Sequence, residues 1–116
     1  MSFALVMITL LCVTGIAIGQ LLFKQAASAL PPQPTWQDWV FNGWLIAALA
    51  LYGVTTLVWV WILRHAPLHL AYPFMGLAFI IVPVLAYAFL GEPLSIKTLL
   101  GGALIIAGVS LAANSL

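Results

Sequence analysis

Residues 40–63 read VFNGWLIAALALYGVTTLVWVWIL, an unbroken stretch without a single charged side chain. A helix needs ~20 apolar residues to cross a bilayer core, and this stretch is long enough. Its tryptophans mark the ends: Trp36, Trp39 and Trp44 on one side, Trp59 and Trp61 on the other. Trp prefers the headgroup level. From Trp44 to Trp61 a helix rises roughly 26 Å, close to a hydrocarbon core. A transmembrane β-strand would instead alternate polar and apolar residues over ~10 positions, and no such alternation occurs here.

Three further runs behave in the same way. The predicted helices cover about 2–24, 40–63, 67–90 and 95–114. The whole 116-residue chain holds three basic and two acidic residues, 66% hydrophobic residues and a mean hydropathy of +1.24. No water-soluble domain can cover itself with so little polar surface. The expectation is an all-α bundle of four transmembrane helices forming one membrane domain over 1–116. So little mass is left outside the membrane that any substrate site must lie between helices. A bundle this thin is expected to pair as a dimer. The first run has no basic residue before it and is too long for a signal peptide, so it reads as a retained span. Cys12 is the single cysteine and reads as a structural thiol.

The connections carry the polar residues. The first loop, from about Ala26 to Trp39, contains Pro31, Pro32 and Pro34, then a short amphipathic entry at Trp36-Gln37-Asp38-Trp39. Tight turns follow at Arg64-His65-Ala66-Pro67 and at Gly91-Glu92-Pro93. The third helix carries Pro73 and Pro83, each of which removes a backbone hydrogen bond and invites a kink. They are candidate hinges. The fourth helix is rich in small residues: Gly101, Gly102, Ala103, Ala107, Gly108, Ser110 and Ala112. Small residues let transmembrane backbones approach closely. Gly101 and Gly108, seven apart, share a face and are the candidate dimer contact.

Helices one and three end on one membrane side, here called X, with Lys24, Asp38, Glu92 and Lys97 on or near it. Arg64, His65 and His69 lie on the opposite side, Y. A basic count of two against one is a weak orientation signal. It permits insertion both ways, and two inverted copies would form a symmetric transporter. It equally suits a subunit oriented by a partner.

Gln20 and Lys24 are four apart and stack on one helix face. A buried amide is costly in lipid unless it finds a partner, which favours a bundle-facing stripe. A cation with amide donors at headgroup depth suits a phosphate or carboxylate. Glu92, on the same side, either pairs with Lys24 or faces a cationic group of a substrate. Tyr72 would line an entrance from Y. His65 and His69 lack the further ligands that a metal or haem would need, so no metal and no cofactor is expected. Neither a nucleophile–base arrangement nor a phosphate loop appears, so there are no catalytic residues to name and an enzyme is not expected. Nothing suggests a nucleic-acid partner. No carboxylate lies in mid-membrane, so simple proton–cation antiport has no obvious titrating group.

Four segments together resemble the drug/metabolite transporter superfamily: Gly19-Gln20-Leu21-Leu22-Phe23-Lys24-Gln25-Ala26, Ala71-Tyr72-Pro73, Gly91-Glu92-Pro93-Leu94-Ser95, and Gly101-Gly102-Ala103-Leu104-Ile105-Ile106-Ala107-Gly108-Val109. The fold implied is the four-helix bundle of the small multidrug resistance exporters, whose first helix carries a membrane-embedded Glu. Aligned through Gly19 and Lys24, that Glu falls on Ile16 here. The chain is most similar to the four-helix EamA-like flippase subunits of the bacterial inner membrane. These move 4-amino-4-deoxy-L-arabinose-phosphoundecaprenol and work as pairs of different chains. The resemblance implies that Gln20 and Lys24 bind a phosphate, and that Glu92 meets a sugar amine or gates the X end. It implies that Tyr72, Pro73 and Pro83 shape the path. The substrate would be a polyprenyl-phosphate lipid, and the assembly a homodimer or a heterodimer with a similar subunit. The competing readings are an exporter of small cations or metabolites and a non-transporting scaffold subunit.

Overall fold

The computed structural model describes residues 2–114, and side chains as far as Leu111. Ala112 of the small-residue stripe therefore lies outside the described side chains. Within the described residues all regular structure is helical: α1 (Phe3–Ala29), α2 (Trp36–Val40), α3 (Gly43–His65), α4 (Leu68–Met75), α5 (Ala78–Leu90) and α6 (Ile96–Asn114). Three stretches are long and apolar enough to cross a membrane: Phe3–Ala29, Gly43–His65 and Leu68–Leu90. Ile96–Leu111 is a shorter apolar helix. Extended to Asn114, α6 has 19 residues, a length of about 28 Å at the usual rise.

The helices form a shallow row rather than a square. α1 packs along α3 on one side and against α5 and α4 on the other, while α6 packs on α4 and α5. α1 is therefore the hub and α6 an edge. The body measures 50 × 35 × 22 Å, so its thin dimension is about two helix diameters.

The inside of this row is made mostly of small and β-branched side chains. Val13, Ala17, Ala48, Ala71 and Ile62 are fully buried, with Thr9 among them. The large apolar residues point outward, Leu104 and Leu111 each 74% exposed and Phe3 81%. This inverts a soluble protein, and the reason is the solvent. Lipid tails are as apolar as leucine, so helices associate by close packing and hydrogen bonds instead. Buried hydroxyls bond to their own helix: Thr9 Oγ1 donates to Leu5 O at 2.8 Å and Thr55 Oγ1 to Tyr52 O at 2.9 Å. Cys12 Sγ donates across the seam to Thr55 O at 3.3 Å. A Cβ on Gly15 would lie 2.8 Å from Thr55 Cγ2, so the α1–α3 seam closes where α1 has no side chain.

The first helix continues past Lys24 to Ala29. The connection to α3 is more structured than its three prolines suggest. Thr35 N donates to Asp38 Oδ2 at 2.9 Å, starting α2 with an acidic side chain near its positive end. Asn42 then caps α3, accepting from Leu45 N at 3.2 Å, and its amide donates to Ala26 O at 2.8 Å. This one buried residue satisfies an orphan donor of α3 and an orphan acceptor near the end of α1.

The third span, expected as a helix over about 67–90 kinked by its prolines, is divided into α4 and α5. It breaks at Gly76 and Leu77, whose N–H groups donate to Pro73 O and Phe74 O in tighter i→i−3 turns. Pro73 lies in α4, just before the break, and Pro83 lies within α5. Pro83 cannot offer the N–H that would normally reach Phe79 O. There α6 comes closest: a Cβ on Gly102 would lie 3.0 Å from Phe79 O and 3.3 Å from Ile80 Cγ1. Across the break, a Cβ on Gly76 would meet Pro73 O at 3.1 Å and Ile106 Cγ1 at 3.7 Å. The glycine that brings α6 onto its neighbour is thus Gly102. Gly101 and Gly108, the candidate dimer contacts, would meet nothing within 4 Å. The end of α5 is set by Gly91, in the left-handed region at φ 69°, with Glu92 N donating back to Ala86 O at 3.2 Å.

Two stability predictions follow from these contacts. Gly102→Val forces α6 off the Phe79 carbonyl and should destabilise the bundle by about 1–3 kcal/mol. Gly101→Val, one residue away, should leave the monomer's thermal transition in detergent within a degree or two of the parent. Asn42→Leu removes both the cap and the tie to α1 and should cost about 1–3 kcal/mol. Asn42→Ser keeps the cap and should recover part of that loss. Thermal melting followed by circular dichroism reads both series.

Candidate functional site

Helical periodicity places Ile16, Gln20 and Lys24 in one line on α1, each a little over a turn above the last. On α5 the same spacing aligns Val82, Ala86 and Leu90. These two lines face a common space. The left-handed turn at Gly91 then folds the chain back so that Glu92 closes it at the X end. The result is a cavity of about 120 Å³ bounded by Gln20, Lys24 and Glu92, with Leu21, Val82, Ala86 and Leu90 as its apolar wall.

Gln20 and Val82 also line a second, larger cavity of about 420 Å³ toward the membrane centre. Its other walls include Ile16 of α1, Tyr72, Met75 and Gly76 at the break in the third span, Phe79 and Pro83 of α5, and Val109 of α6. The freed backbone around Pro83 therefore borders a cavity, where irregular backbone is tolerated in membranes. Gln20 is the hinge of the arrangement, the one polar side chain common to both spaces.

Of the residues singled out from sequence, Gln20, Lys24 and Glu92 come together in the smaller cavity, and Gln20, Tyr72 and Pro83 in the larger. Pro73 lines neither, although its carbonyl accepts the Gly76 N–H at the break. Among the described residues no ion pair joins Lys24 to Glu92, and no hydrogen bond engages the side chains of Gln20, Lys24, Tyr72 or Glu92. The structural Lys24–Glu92 pair is thus not formed, and a cation and an anion border one small space uncommitted to each other. Both charges are partly open to solvent, Lys24 more than Glu92.

The other polar groups are already engaged or lie elsewhere. Asp38 is held by Thr35 beside a separate pocket at the X-side loop, where Asn42 and Trp44 also lie. His65 Nδ1 lies 3.0 Å from Trp61 O and its ring packs on Trp61 at 4.3 Å. His65 ends α3 and His69 belongs to α4, with the Ala66-Pro67 turn between them. Among the described residues no group of three or more His, Cys, Asp or Glu could hold a metal ion.

Met75, Phe79 and Val109 line the larger cavity and were not singled out from sequence. In a chain that is apolar nearly throughout, nothing marks a cavity-lining leucine, methionine or phenylalanine from a lipid-facing one. Asn42 was legible as a polar residue in an apolar run, but its tie to Ala26 depends on where the first loop returns the chain.

A model of the EamA-like transporter family matches residues 1–114. A relative from Pectobacterium atrosepticum, named probable 4-amino-4-deoxy-L-arabinose-phosphoundecaprenol flippase subunit ArnE, is 38% identical over 112 residues, covering 96% of both chains. A protein of the same name from Enterobacter sp. strain 638 is 35% identical over 111 residues, covering 96% of this chain and 95% of its own. Another from Serratia proteamaculans is 37% identical over 93 residues, covering 80% and 81%. No solved structure gives a significant match. These relatives bear out the resemblance to four-helix flippase subunits that the Gly19–Ala26, Ala71–Pro73 and Gly91–Ser95 segments carry. A family match along almost the entire sequence, relatives of equal length and several apolar spans agree: the chain is a multi-pass membrane protein and belongs to the EamA-like transporter family.

Proposed function

We propose that this chain is one subunit of a flippase that moves a polyprenyl-phosphate-linked amino sugar across the bacterial inner membrane. The observation that carries the reading is the pairing of Lys24 and Glu92 around one cavity without an ion pair between them. In a chain with only five charged side chains, two border the same 120 Å³. A headgroup with a phosphate and an amine is complementary to that arrangement. Lys24 and the Gln20 amide meet the phosphate, and Glu92 meets the amine. Gln20 then leads to the larger space, which ends at Tyr72 toward Y and is flanked by the Gly76 break. The names of the relatives point to the same substrate class.

The reading includes a partner. The relatives are named as subunits, and the row of helices leaves the outer side of α6 without a neighbour. Gly101 and Gly108 lie there with open space above them. A second four-helix subunit packing on this face would cover it. At the position where the multidrug exporters carry their Glu, this chain has Ile16 in the wall of the larger cavity. That substitution disfavours the cation-exporter alternative.

Native mass spectrometry of the purified chain, alone and with a similar subunit, against undecaprenyl phosphate and its aminosugar conjugate tests the proposal. Lys24→Ala should weaken retention of both lipids by about 10- to 100-fold, the worth of one charge-assisted hydrogen bond. Lys24→Arg should retain much of it. Glu92→Gln should weaken the aminosugar conjugate selectively and leave undecaprenyl phosphate nearly unchanged. Full retention and transport by folded Lys24→Ala would refute the assignment.

A further inference from the structure

On the far side of the α1–α5 seam from the charged cavity runs an apolar groove of about 460 Å³. Ile18, Leu21 and Leu22 of α1 form one wall, and Leu85, Phe89 and Leu90 of α5 the other. Gln25, near the end of α1, lies at its X end. Leu21 and Leu90 line both this groove and the small cavity that holds Lys24 and Glu92. The groove is open to the surrounding hydrocarbon, with Phe89 74% and Ile18 43% exposed.

Its placement separates it from ordinary lipid-facing surface. The helix that carries Lys24 and the helix whose following turn carries Glu92 also build the groove, one side chain away. From Gln25 it runs inward to Ile18, about 10 Å of helix, in the direction a lipid chain takes from its headgroup. A lipid phosphate seated at Lys24 thus has its chain delivered to the mouth of the groove across Leu21 and Leu90.

We propose that this groove holds the first isoprene units of a polyprenyl phosphate whose phosphate sits at Lys24, so that the lipid enters sideways from the X leaflet between α1 and α5. The proposal rests on the flippase reading above. The chain leaves one hydrocarbon environment for another, so the groove contributes packing contacts and no hydrophobic drive. Its effect is to fix where the phosphate and headgroup stand while the rest of the chain stays in lipid.

The test uses the full-length chain in mild detergent, carrying undecaprenyl phosphate and followed by native mass spectrometry. Leu22→Trp and Phe89→Trp fill the groove without touching Gln20, Lys24 or Glu92. Each should lower retention about three- to tenfold, the modest scale expected of packing alone, whereas Leu57→Trp, on the exposed face of α3, should not. Farnesyl phosphate should displace the bound lipid from the parent chain far better than inorganic phosphate, and should lose that advantage in the filled variants. Photocrosslinking of the unsubstituted chain with a photoreactive polyprenyl phosphate gives a readout independent of how the variants fold. Labelling of the 18–25 and 85–90 segments supports the groove, and labelling spread evenly over the helices overturns it. Retention by the parent chain with no loss in either filled variant overturns the groove and leaves the flippase reading standing. No retention by the parent chain, with or without a partner subunit, overturns both.

Discussion

Hydrocarbon offers a helix no reward for turning its leucines inward, and this constraint governs the rest of the molecule. What remains is close approach of backbones and the satisfaction of polar groups within the protein. Hence an interior mostly of alanine, threonine, valine and isoleucine, the contact of Gly15 with Thr55, and the Cys12 bond to a carbonyl of α3. Hence also the outward-facing leucines and phenylalanines. A fold held in this way tolerates polar side chains only where a cavity or another group receives them. The few that are present therefore report on where the cavities are.

The third span shows the same constraint from the opposite direction. Two prolines and a glycine loosen its backbone, and the loosened carbonyls must be covered. α6 covers them with Gly102 at Phe79 on one side of the break and Ile106 at Gly76 on the other. The span is interrupted and still held. Its irregular part borders the larger cavity, so the interrupted backbone and that space are in one place.

Much of this was legible in the sequence, because hydropathy and the tryptophan belts are strong signals in a nearly uncharged chain. The α1 line of Gln20 and Lys24 followed from spacing alone, and Glu92 from its place in the turn after the third span. What the sequence did not reveal was contact partnership. Gly101 and Gly102 are neighbours with equal claim to a packing face, and only the rotation of α6 about its axis decides between them. The break at Gly76 lies three residues beyond Pro73, where the turn tightens, and not at either proline. The absence of a Lys24–Glu92 ion pair is likewise a matter of tertiary geometry. So is Asn42, whose partner on α1 is sixteen residues away by way of three prolines.

The row-like order of the helices has a consequence for how the chain is assembled. α1 is the hub, yet it precedes every helix that packs on it. During synthesis it enters the bilayer before α3 can fill the Thr55-facing gap at Gly15, and α3 is the next long helix to follow it. In the finished fold that pair is tied by Asn42 and Cys12. The interrupted span follows in the chain, and α6, which packs over its break, comes after it. Chain order therefore runs outward from α1, and the helix that covers the interrupted span is the last to be made.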